Sequence, residues 1–72
     1  MASREAVLRE KTYKDDGLPV EKRIYYTLTD DKTPGLTEHR TAKLLALTIA
    51  TLMEDGKILP KDLDEMLLEL LG

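Results

Sequence analysis

Apolar positions along this chain change pattern between its two halves. From Leu44 to Met53 there is no charged residue, only Leu, Ala, Ile, Thr and Met. With its flanks this stretch predicts a helix over residues 37–55, rich in the strongest helix formers. Thr37 suits the N-cap, Glu38 suits the positive end of the dipole, and Gly56 suits a left-handed C-terminal residue. Further on, Leu63, Met66, Leu67 and Leu70 share one stripe, with Asp62, Glu65 and Glu69 on the other side. This predicts an amphipathic helix over residues 60–71. Pro60 starts it well, because its missing N–H would have gone unpaired in the first turn.

The first half has a shorter period. In KRIYYTLT, residues 22–29, Ile24, Tyr26 and Leu28 alternate among β-branched and aromatic neighbours, which predicts a strand. VLREKTYK, residues 7–14, is the expected antiparallel partner, joined through DDGLPV and its Asp16-Gly17 turn pair. Pro19 cannot donate to a ladder and lengthens the connection. The fold expected is α+β in a single small domain over residues 1–72. It has a β-hairpin at about 7–29, a loop at 30–36 and two α-helices (ββαα). The alternative is a mainly α chain, in which Ser3 caps a short N-terminal helix over SREAVLREK.

Projection of the longer helix puts Ala42, Leu45, Ala46, Ile49 and Met53 on one stripe, suited to a core. Leu44 and Leu47 point the opposite way, beside Thr48 and Thr51. Leu68 falls off the stripe of the last helix. These three leucines lack an evident partner within the chain, and contiguous exposed apolar patches mark interfaces.

Chain length sharpens that reading. A single core in a chain of 72 residues seldom supplies more than about 3–5 kcal/mol, so small domains lean on disulfides, metals or oligomers. There is no cysteine, which removes disulfides and thiolate metal sites and fits a reducing cytoplasm. Hydrophobic residues make up 42% of the chain, enough for a folded domain. The net charge of −3 lies wholly in residues 36–72, with four basic and seven acidic side chains; residues 1–35 hold seven of each. That imbalance disfavours phosphate contacts by the second half. MASREAV lacks the pattern of a secretory signal, and the longest apolar run is too short for a bilayer. A cytoplasmic protein with no membrane contact is the expectation.

Local motifs give little chemistry. MEDGKI has the acid–glycine–isoleucine order found in an EF-hand loop. With Gly56 in sixth place, however, Thr51 and Met53 fall where the first carboxylates belong, and Asp62 replaces the twelfth-position glutamate. A helix–helix turn is expected there. Read as a DNA-recognition helix, PKDLDEMLLEL would turn Asp62, Asp64, Glu65 and Glu69 toward phosphates with only Lys61 to offset them. LLELL fits the spacing of groove-docking helices, a spacing that any leucine-rich amphipathic helix reaches easily. One histidine, His39, and one serine, Ser3, give no nucleophile–base pair and no metal-ligand set. No enzyme, cofactor or metal site is expected.

The function expected is a small regulator or inhibitor that binds a protein partner through apolar helix faces, with homodimerisation as one form of it. Leu44, Leu47 and Leu68 would make the contact, bordered by Asp64 and Glu65 of an acidic rim. The alternative is a nucleic-acid-binding module acting in transcriptional regulation, winged-helix-like or built on a basic hairpin. It would use Lys11, Lys14, Lys22, Arg23 and Tyr25.

Overall fold

The computed structural model describes residues 3–30 and 33–72, and its regular elements are all α-helices. They are α1 (Arg4–Lys11), α2 (Val20–Thr29), α3 (Leu36–Glu54) and α4 (Pro60–Leu71). The expected α+β hairpin is therefore overturned. Both of its strands are helical, no strand occurs among the described residues, and the mainly α alternative describes the chain.

The α2 segment explains the error. Val20, Ile24 and Leu28 recur every four residues, and two of them also belong to the alternation that suggested a strand. The two periods separate only at the neighbours. Arg23, Ile24 and Thr27 are all buried, and a strand would send Arg23 and Ile24 to opposite faces. Threonine is a poor helix former because its hydroxyl competes for the backbone. Here Thr27 and Thr29 donate their hydroxyls to the carbonyls of Arg23 and Tyr25, at 2.8 and 3.0 Å. Packing against the rest of the chain overrides the local β preference.

α1 begins as the alternative anticipated, with Ser3 Oγ accepting the Ala6 N–H at 3.1 Å. Tyr13, in the left-handed region at φ 56°, ends it, and Gly17 at φ 72° makes the turn toward α2. The hairpin turn expected at Asp16-Gly17 is absent; the chain turns between helices through a bond from the Asp16 N–H to the Tyr13 carbonyl at 3.4 Å, with left-handed Gly17 just after it. At the end of α2, Asp30 is left-handed and its N–H bonds to the Tyr26 carbonyl. Asp31 and Lys32 of the expected loop lie outside the described residues.

The later helices lie close to their expected places. α3 starts at Leu36 with Gly35, not Thr37, as its N-cap. Its C-terminus closes with Gly56 N–H on the Met53 carbonyl at 3.0 Å and Lys57 N–H on the Leu52 carbonyl at 2.9 Å. This paired closure needs the positive φ of 74° that Gly56 supplies. MEDGKI is thus a helix stop. Asp62 then accepts the Leu59 N–H at 3.1 Å and fixes the entry into α4.

α2 lies along α3, while α1 rests on α4. The core joins Ile24 of α2, Ala46 of α3, and Leu63 and Leu67 of α4, with Val20, Tyr25, Leu28, Ile49 and Met53 around them. Small side chains at Ala42 and Ala46 give α3 a shallow buried face. The result is thin. Its radius of gyration is 11.9 Å, against about 11.2 Å for a compact chain of this length. The exposed surface is 5228 Å², against about 4,500 Å² for a folded monomer of this mass. Among the described residues no helix is long and apolar enough to cross a membrane.

Candidate functional site

The outer face of α3 stands out first. Its inner face, with Ala42 and Ala46, is buried. On the opposite side Thr37, Arg40, Thr41, Leu44, Leu47, Thr48, Thr51 and Asp55 are all exposed. Leu44 is 66% exposed and Leu47 47%. The spacing 37, 41, 44, 48, 51, 55 is a four–three alternation that keeps these residues on one face, with Leu44 the apolar member among threonines and an aspartate. Three of its threonines turn their hydroxyls inward. Thr41, Thr48 and Thr51 donate to the carbonyls of Thr37, Leu44 and Leu47 at 3.0, 2.7 and 2.8 Å. Their O–H donors are therefore satisfied within the helix. Burying this face against another surface would orphan none of them. A shallow hollow of about 310 Å³ lies on the same face, lined by Leu47, Thr48, Thr51 and Leu52.

Leu68 is placed elsewhere. It is half-buried on α4 and borders a different hollow with Glu65, Glu69 and Gly72. The structure thus unites two of the three leucines singled out from the sequence. Leu45, assigned to the core stripe of α3, and Met66 and Leu70, assigned to that of α4, are exposed, while Ala42, Ala46, Leu63 and Leu67 carry the burial.

The acidic and basic candidates meet in one network. Arg23 Nε donates to the Thr12 carbonyl at 2.8 Å, and its Nη2 donates to Thr12 Oγ1 and to Asp64 Oδ1, each at 2.9 Å. Lys14 Nζ approaches the other Asp64 oxygen at 2.8 Å and Glu5 at 3.7 Å. Burial pushes the Asp64 carboxyl up, but hydrogen bonds from Lys14 and Arg23 outweigh it and hold it below the usual carboxylate range. The bond to Asp64 raises Lys14 in turn. Glu65 pairs with Arg4 at the surface. Asp64 and Arg23 therefore clamp the end of α1 between α2 and α4, and Asp64 is only 14% exposed. Of the five residues considered for nucleic acid, Lys11 and Lys22 are exposed, on different helices. Lys14 and Arg23 spend their charge on Asp64.

Tyr25 joins an aromatic row. Its ring meets Tyr26 edge to face at 5.7 Å and His39 at 5.5 Å, and Tyr13 meets Tyr26 at 5.9 Å. The Tyr25 hydroxyl and His39 Nδ1 share a hydrogen bond of 2.7 Å across α2 and α3. Beside this pair lies a cleft of about 260 Å³, walled by Tyr25, Tyr26, Ala46 and Leu47, with Lys22 and Lys43 at its edges. Nothing in the sequence marked Tyr25 and His39 as partners, since they lie on separate helices.

No family model, curated protein or solved structure matches this chain. Among the described residues no three His, Cys, Asp or Glu side chains gather as they would around a metal. Every buried side-chain nitrogen and oxygen in them has a hydrogen-bond partner, so the polar interior is already satisfied by the fold. The outer face of α3 has an unspent capacity, and that capacity is for apolar contact.

Proposed function

We propose that the chain is a non-enzymatic binding module whose outer α3 face docks onto a protein, as a small regulator or inhibitor does. The carrying observation is the exposure of Leu44 and Leu47 on a face where three of the four threonine donors are satisfied internally. Such a face loses apolar surface to a partner at about 25 cal/mol per Å² of favourable free energy. The hydroxyl donors of Thr41, Thr48 and Thr51 keep their partners on burial, which limits the desolvation cost. Occupancy of a partner surface is then the mechanism, and no bond is made or broken.

A benzoylphenylalanine placed at Leu44 tests this by photo-crosslinking in the native cytosol. A protein adduct is expected from that position and not from exposed Glu10 on α1. Absence of an adduct above the Glu10 control would overturn the reading. So would unfolding of the Leu44→Glu, Leu47→Glu double variant by circular dichroism, since the leucines would then serve the fold.

A further inference from the structure

We infer that the outer face of α3 pairs with the same face of a second copy of this chain, antiparallel, about a two-fold axis between Leu47 and Thr48. This rests on the binding role given to that face and names its occupant.

Charge placement decides the direction. The outer face has a basic end at Arg40 and an acidic end at Asp55, with no charge from Leu44 to Met53. A two-fold axis at the middle sets position 40 opposite 55 and 44 opposite 51. Arg40 of each copy then meets Asp55 of the other, and Leu44 comes over the hollow beside Thr48 and Thr51. A parallel pair would stack like charges at both ends, which is unfavourable.

Two further observations agree. The last turn of α3 has no basic residue, so Glu54 and the adjoining Asp55 sit at the negative end of the helix dipole, where acidic groups cost stability. Neither has an ion-pair partner among the described residues, and neither does Arg40. A basic group from a second copy would offset that cost. The chain also exposes about 700 Å² more than a folded monomer of its mass should. Leu44 and Leu47 contribute to that excess, alongside Leu59, Met66, Leu70 and Leu71 outside α3.

Sedimentation equilibrium on the full chain, with charge swaps, tests the pairing. The unaltered chain should sediment as a dimer. Arg40→Glu alone and Asp55→Arg alone should each raise the dimer dissociation constant about tenfold. Both changes suit the helix dipole, so the monomer should stay folded by circular dichroism. The double variant should regain the original constant within about threefold, since it restores opposite charges at both ends. A strict monomer at millimolar concentration, or a double variant no better than the single ones, overturns the pairing. The two readings fail separately: a monomer whose Leu44 crosslinker still captures a different protein loses only the second copy, whereas one that captures nothing loses the docking face as well.

Discussion

α2 hides an arginine, and α3 displays four leucines, Leu36, Leu44, Leu45 and Leu47. Arg23 is 9% exposed while Leu44 is 66% exposed, the reverse of what their polarities suggest. The difference lies in what each side chain meets. Arg23 finds a carbonyl, a hydroxyl and a carboxylate at hydrogen-bond distance, so its charge is matched when water leaves. Leu44 stays largely uncovered, because α2, which lies along α3, takes its alanine face. Burial in so small a chain follows the supply of neighbours, and only then polarity.

The sharpest way to break this contrast is Arg23→Ala. It leaves the Thr12 carbonyl without its guanidinium partner and takes one cation from Asp64, at a cost of about 3–5 kcal/mol. That is comparable to the whole stability expected of one core this size, so urea titration followed by circular dichroism should find the variant largely unfolded. Retention of a cooperative transition near the original midpoint would show that the clamp is dispensable.

Acid should attack the same clamp next. Asp64 titrates lower in the folded chain than in the unfolded one. Its contribution is therefore present above the unfolded value of about 3.9 and is lost as pH falls through the folded value below it. Lys14 has the opposite sign. Its raised folded value keeps its contribution present below the unfolded value of about 10.4 and removes it as pH rises through the folded one. A melting-temperature profile should thus fall at both extremes, and Asp64→Asn should flatten the acid limb. An unchanged acid limb in that variant would place the acid sensitivity elsewhere.

A smaller effect is expected at the join between α2 and α3. Tyr25→Phe keeps the ring contacts but removes the hydroxyl from His39, a loss of about 1 kcal/mol measurable by the same urea titration. The smallest effect belongs to the open face. Leu44→Glu should shift the stability of dilute chain by no more than about 0.5 kcal/mol. A loss of several kcal/mol would mean that Leu44 is as enclosed as Ile24, and the contrast would collapse.

Much of this molecule was legible before the structure. α4 has the bounds its apolar stripe and Pro60 predicted, and Gly56 stops α3 with the left-handed backbone that position required. The positive φ at Gly17 was also legible, because glycine answers that local demand locally, but the hairpin expected around it does not form. The separation of Leu44 from the buried face of α3 followed from the helical period, whereas the exposure of Leu45 did not, since the same period placed it with the core.

What the sequence could not decide was the state of its first half. Ile24 and Leu28 fit a two-residue and a four-residue period equally, and eight-residue α1 is too short to declare itself by its own helical stability. Both segments become helices when tertiary contacts bring Thr12, Arg23 and Asp64 together, residues 11 and 41 positions apart in the chain. The same assembly turned three apparent surface charges into a structural clamp and joined Tyr25 to His39. Local sequence specifies backbone periods, caps and stops, because those depend on neighbouring residues. Which charges are satisfied and which leucines stay uncovered depends on distant ones, and only the folded chain settles that.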